Sequence, residues 1–167
     1  MEALVECVIE DARWQDFGLE PLALRAVQAT LAELGLPETG VTLSVMGCDD
    51  ARIATLNEEF RGKAKPTNVL SWPAWDLAAD TDGAAPDAPE IGQADDPESL
   101  GDIAISYDTC AREALEAGKP LSDHVTHLVT HGLLHCLGYD HVREGDATRM
   151  EALEVRILAS MGLPDPY

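Results

Sequence analysis

Three histidines carry the sharpest chemistry in this chain. His131 and His135 lie four apart in the apolar stretch Thr130-His131-Gly132-Leu133-Leu134-His135. On a helix they share one face with Cβ atoms about 5–6 Å apart, a span that lets two imidazoles hold one ion. Gly138 then supplies a helix stop: without a Cβ it takes the left-handed conformation, and the reversed chain brings His141 back to the same ion. Three neutral imidazoles suit zinc or a similar transition ion. Three protein ligands also leave a fourth position for water, as catalytic rather than structural zinc sites do. The expectation is one zinc ion on His131, His135 and His141.

The same helix carries His124 and His127, so a stripe of histidines runs down one face at intervals of three and four. His127 and His131 form a rival pair at the same spacing, but only His131 and His135 are followed by the glycine break and a third histidine. His127 is expected to support a ligand from behind or to face substrate, and His124 to be exposed or in the core. Written as spacing, H-x-x-x-H-x-x-G-x-x-H matches the metzincin protease signature except at one position, where Gly132 replaces the Glu. In those proteases that Glu takes the proton of the zinc water, and glycine has no group to do so.

A second feature is Phe60-Arg61-Gly62-Lys63-Ala64-Lys65-Pro66-Thr67-Asn68, which sets three cations within five positions. Arg61 offers a planar fork of donors suited to a phosphate, and the flanking Gly and Pro let backbone approach a ligand.

The elements that must position these groups follow from periodicity. Alternation over Ala3–Ile9, Val41–Met46, Asn68–Trp72 and Gly101–Ser106 predicts four strands. Helical spacing at Leu24, Val27, Leu31 and Leu34 predicts a helix over 19–34, stopped by Gly35. Asp49 or Asp50 should cap a helix reaching about Phe60, Asp108 or Thr109 one over 111–117, and Ser122 or Asp123 the metal helix. A last amphipathic helix, 144–161, turns Met150, Leu153, Ile157 and Leu158 inward. Between strands three and four, the stretch from about 74 to 100 is acidic, rich in Ala, Gly and Pro, and free of basic residues, which predicts a solvated, mobile insertion.

Composition bounds the rest. The 167 residues, 46% hydrophobic and 25% charged, suit one domain of the soluble globular class, residues 1–167. No leader or membrane-length apolar run is evident, so a cytoplasmic protein is expected. A net charge of −20 argues against nonspecific adhesion to nucleic acid. Cys7, Cys48, Cys110 and Cys136 form no CxxC pair and read as buried thiols. Cys136 adjoins His135, but helix neighbours point about 100° apart, so it packs rather than ligates.

His127, the segment His131-Gly132-x-Leu134-His135-x-x-Gly138-Tyr139-Asp140-His141, the segment Phe60 to Ser71, the Gly101-Asp102-Ile103 strand and the closing Leu163-Pro164-Asp165-Pro166-Tyr167 together resemble the bacterial YbeY family of endoribonucleases and rRNA maturation factors. Departures are Cys136 for leucine, Trp72 for phenylalanine, Ala64 for aspartate and a long insertion. The resemblance implies a zinc-dependent, single-strand-specific endoribonuclease acting in small-subunit rRNA 3′-end maturation and ribosome quality control. It implies as partners single-stranded RNA, the small ribosomal subunit, a small-subunit ribosomal protein and an Era-type GTPase. Arg61 is then the key catalytic residue outside the ligand set, and His131 is both ligand and essential. Lys63 and Lys65 would hold neighbouring phosphates and Asp140 would orient a ligand imidazole. Alternatives are a noncatalytic zinc-stabilised assembly factor and a metalloprotease. The expected fold is α+β: one domain, a small mixed four-stranded sheet packed by helices, with the metal helix at its centre.

Overall fold

The computed structural model describes residues 4–167, so Ala3 of the first expected strand lies outside the described residues. In chain order the elements are β1 (Val5–Ile9), α1 (Arg13–Phe17), α2 (Leu19–Leu34), β2 (Val41–Cys48), α3 (Asp50–Arg61), β3 (Val69–Pro73), β4 (Glu98–Ser106), α4 (Tyr107–Ala117), α5 (Leu121–Cys136) and α6 (Glu144–Ser160). The sheet order is β1-β2-β4-β3. The first three strands run parallel, and β3 pairs antiparallel to β4 with Leu70 opposite Ala104. This is the expected α+β architecture, a mixed four-stranded sheet with six helices.

Alternation along β2 sorts the two faces of the sheet. Val41, Leu43 and Val45 point into the main core with Ile103 and Ile105 of β4, where Val27 and Leu31 of α2 and Val129 and Leu133 of α5 meet them. The opposite face is thinner, with Ile53 of α3 covering Cys48, Leu70 and Ala104. A third cluster, Leu134 with Met150, Leu153 and Ile157, fastens α6 to the back of α5. Each such fully buried aliphatic side chain stabilises the fold by about 1.5–3 kcal/mol. α5 packs on the main face of the sheet against β3 and β4 and also touches α2, α4 and α6, which makes it the central helix, as expected.

Several local expectations change. Leu24 is 36% exposed, because the inward face of α2 is set by Leu19, Leu22, Ala23, Ala26, Val27 and Leu31. Asp49 caps α3, accepting from Arg52 N at 2.9 Å. Neither Asp108 nor Thr109 caps α4, which starts after Ser106. Asp108 instead accepts from Asp50 N at 3.0 Å, while Asp50 accepts from the Ser106 and Thr109 hydroxyls at 2.6 Å each, so the starts of α3 and α4 satisfy one another. α5 begins after Pro120 with no side-chain cap, and Ser122 and Asp123 lie within its first turn. The insertion expected to reach 100 ends at 97. Glu98–Leu100 belong to β4, and Leu100 is buried because it faces the core.

The remainder of that segment is tied to the start of α6. Arg143 donates to the Ala79 and Asp80 carbonyls, Arg149 to that of Gly83, and Asp146 exchanges bonds with Gly83 and Asp82. Among the described residues, no helix is long and apolar enough to cross a membrane.

Candidate metal centre and active site

α5 places His131 and His135 on one face, and their Nε2 atoms are 3.0 Å apart. Gly138, just past the end of α5, takes φ +99°, and Tyr139 N closes back on the Leu134 carbonyl at 3.0 Å. That turn carries His141 over the pair, with ring centroids 5.3 Å from His131 and 5.0 Å from His135. The potential ligand atoms of all three residues lie within 4.8 Å of one another.

Hydrogen bonds on the far side of the rings say which nitrogens are free. His135 Nδ1 faces the Tyr139 carbonyl at 3.0 Å, and a carbonyl only accepts, so Nδ1 carries the proton. His131 Nδ1 faces Glu154 Oε1 at 2.6 Å. Glu154 is fully buried; burial alone would raise its pKa, but hydrogen bonds from His127, His131 and Tyr167 outweigh this and hold it at about 2. An ionised carboxylate also only accepts, so His131 Nδ1 is a donor too. With both Nδ1 atoms committed as donors, the two Nε2 atoms face each other across 3.0 Å, where a shared proton or a metal ion satisfies both. Nitrogens bound tetrahedrally to zinc at about 2.0–2.1 Å stand roughly 3.3 Å apart, so the donor set fits such an ion. His135 is moreover held neutral, the ligating form, because burial first and His131 second push its pKa down to about 4.

His127, His131 and Glu154 form a second group of three potential ligands within 4.8 Å. The 2.6 Å separation of His131 from Glu154 is too short for two atoms bound to one ion and is that of a charge-assisted hydrogen bond. Glu154 thus supports the centre from behind, taking His127 Nε2 as well at 3.2 Å and the Tyr167 hydroxyl on its other oxygen. Sequence reasoning missed both Glu154 and Tyr167. The one signal was a carboxylate at 154 on the same stripe as Met150 and Ile157.

Asp140 accepts from His141 N at 2.7 Å, and its carboxylate stays 4.0 Å from His135 Nδ1 and 3.8 Å from His141 Nδ1. The Tyr139 carbonyl holds the His135 ring in its place. His124 lies apart from the centre, paired with Glu113 at 2.9 Å, and Glu113 also accepts from Asn68. Cys136 packs in the core, and burial pushes its thiol up to about 12.

Gly132 faces the sheet. A Cβ there would stand 3.1 Å from Ile103 Cγ2, tighter than most such contacts, so α5 seats closely on β4 only because position 132 has no side chain. A glutamate at that position would have to occupy the same filled space.

Arg61 ends α3, where Gly62 turns left-handed at φ +70°. It is exposed, and among the described residues it joins no ion pair. It lines a cavity of about 410 Å³ with His131, His135, His141 and the polar residues Thr67, Asn68 and Ser71. It also lines an adjoining cavity of about 660 Å³ walled by the 74–78 segment. Lys63 and Lys65 are exposed and line neither cavity. Their loop is held by Asn57, whose amide donates to the Lys65 carbonyl at 2.9 Å.

Against known proteins, the profile of the family described as Endoribonuclease YbeY matches residues 5–162. A Cereibacter sphaeroides protein named Endoribonuclease YbeY is 62% identical over 167 residues, covering 100% of both chains. Proteins of the same name from Dinoroseobacter shibae, 59% identical over 99% of this chain and 91% of its own, and Rhodopseudomonas palustris, 44% identical over 96% and 89%, also match. A solution structure from Thermotoga maritima shares the fold, with a TM-score of 0.55 at 18% identity over 95% of this chain and 91% of the other. Similarity of this extent over nearly the whole length means that the chain belongs to the YbeY endoribonuclease family.

Proposed function

We propose that the chain is a zinc-dependent, single-strand-specific endoribonuclease that matures the 3′ end of small-subunit rRNA and serves in ribosome quality control. The observation that carries this reading is that three convergent imidazoles and an unpaired arginine line the same cavity. The names of the relatives supply the reaction class, and a donor set of three convergent imidazoles supports zinc. An ion held by His131, His135 and His141 would supply Lewis acidity toward a phosphoryl oxygen.

The protein's own groups do the remaining work. Arg61 presents its fork of donors to the nonbridging oxygens, where charge builds in the transition state. Glu154 keeps the His131 Nδ1 proton in place, so that Nε2 stays free and correctly aimed. His127, sharing Glu154, braces that carboxylate. Asp140 fixes the turn that presents His141. Lys63 and Lys65 hold phosphates further along the strand, outside the cavities. The whole of 1–167 is one catalytic domain with the acidic insertion as an appendage. Its charge of −20 would repel RNA that is not guided to the site, and suits basic partners: a small-subunit ribosomal protein on the small subunit, with an Era-type GTPase, in the cytoplasm.

The test is cleavage of a short single-stranded RNA by the zinc-loaded protein beside Arg61→Ala and His131→Ala from identical preparations. Removal of one transition-state donor is expected to lower kcat roughly 10²–10³-fold. Equal cleavage by all three proteins, or by none, would sink the reading.

A further inference from the structure

The adjoining cavity of about 660 Å³ is continuous with the metal centre, since Arg61, Ser71, His135 and His141 line both. Its outer wall carries the indole of Trp75, 49% exposed, near Val142, 83% exposed. An exposed tryptophan on its own needs no explanation. This one sits in the same cavity as the reacting groups, and the fold holds it there. On one side Ala74 N donates to the Leu100 carbonyl at 3.3 Å. On the other, the Leu77 backbone lies against Gly138, so closely that a Cβ on Gly138 would stand 2.7 Å from the Leu77 carbonyl carbon. Leu77 is fixed again by its carbonyl, which accepts from Asp87 N at 2.9 Å. A ring anchored on both flanks is pre-organised and loses little freedom when it takes a partner.

Charge says what that partner is. Among the described residues, Arg61 is the only lysine or arginine lining this cavity, and Asp76 and Asp140 line it as well. Beyond Arg61 a phosphate would meet carboxylates, whereas an uncharged flat ring would meet an indole. We infer that Trp75 is the stacking platform for an unpaired base of the RNA, seated beside the reacting phosphate while the backbone stays with Arg61. The inference rests on the nuclease reading and deepens it, because it locates a source of strand selectivity. In a duplex every base is already stacked and paired and none is available to Trp75, whereas a single strand can splay a base onto an aromatic face.

The experiment compares wild type, Trp75→Ala and Trp75→Phe, matched for zinc content, on a short single-stranded RNA. It is repeated with an abasic nucleotide on each side of the cleaved bond in turn. Loss of one base–aromatic stack is expected to raise KM about tenfold with kcat within about twofold, and Trp75→Phe to restore most of it. The abasic strand should carry a similar penalty for wild type at one of the two positions and none for Trp75→Ala. An unchanged KM for Trp75→Ala on the intact strand, or an equal abasic penalty in both proteins, overturns the platform. Failure of wild type to cleave any strand overturns the nuclease reading itself, whereas cleavage by wild type with an indifferent Trp75→Ala overturns only the platform.

Discussion

Glu154→Gln is the sharpest probe of the centre because it keeps shape and removes charge. The amide oxygen can still accept from His131 and His127, and its nitrogen can donate to the Tyr167 hydroxyl, whose hydrogen is free to rotate. What is lost is the ionised carboxylate, whose pKa drops from an ordinary 4.5 to about 2 in the folded protein. That difference corresponds to about 3 kcal/mol in favour of the charged form, so the metal-free variant should be less stable by about that amount. For a chain of this length the melting temperature should fall by about 6–12 °C. A depressed folded pKa gives stability that is present above the unfolded value and is lost as pH falls through the folded one. The gap between the two proteins should therefore be open at pH 7 and close as pH falls below 4.5 towards pH 2. Zinc affinity should fall about 10–100-fold, as when a carboxylate behind a ligand histidine is lost. Denaturant melts of both metal-free proteins across that pH range, with competition against a chelating dye, measure both quantities. Unchanged zinc affinity, or a gap that persists unchanged down to pH 2, would refute the assignment of Glu154 as an ionised brace of His131.

Metal-free wild type should itself lose stability in a different window. His135 is held neutral with a pKa of about 4, so its contribution is complete above 6.5 and declines as pH falls to about 4, by about 3 kcal/mol; His135→Ala should flatten that part of a pH–stability curve. Gly138→Ala forces a Cβ onto φ +99° and onto the Leu77 backbone, whereas Gly62→Ala, at φ +70°, meets only open space. The first should cost about 2–4 kcal/mol by chemical denaturation and the second about 1–2; equal costs would discount the contact with Leu77. Burial pushes Cys48 and Cys136 to about 12 and Cys7 to about 11, and raises Cys110 as well. None should react with a disulfide reagent at pH 8 until denaturant is added, and rapid labelling of the native protein would contradict that picture.

The cluster of His131, His135 and His141, the glycine turn and the four strands were legible because each is a local pattern: four-residue spacing, a glycine after a helix, alternation. Glu154 was not, because a lone carboxylate at the edge of an apolar stripe reads as a solvated residue, and only the packing of α6 on α5 shows that it faces His131. Tyr167 follows the prolines after α6, where no periodicity exists to orient it. α1 has five residues, too few to show a period, although Trp14 within it is fully buried and donates to the Cys48 carbonyl at 3.0 Å. The reciprocal use of Asp50 and Asp108 was hidden because the Asp108 carboxylate accepts from a backbone N–H 58 residues away, while cap rules consider only neighbours. Composition likewise described the acidic segment as solvated. It could not show that arginines of the α6 region grip its carbonyls, since those bonds go to backbone that any sequence has.

That reciprocal lock has a mechanical side. α3 is pinned at its start, where Asp50 meets Ser106, Thr109 and Asp108, and carries Arg61 at its far end, eleven positions on from Asp50. At 1.5 Å per residue the arm is about 17 Å long. A tilt of about 3° at the pivot therefore swings the guanidinium by about 1 Å, a misplacement of the size that can cost about a hundredfold in rate. Hydroxyl and carboxylate groups a helix length from Arg61 thus set where its guanidinium lies, and on its proposed role a lesion there would blunt the enzyme while leaving the three-histidine cluster in place.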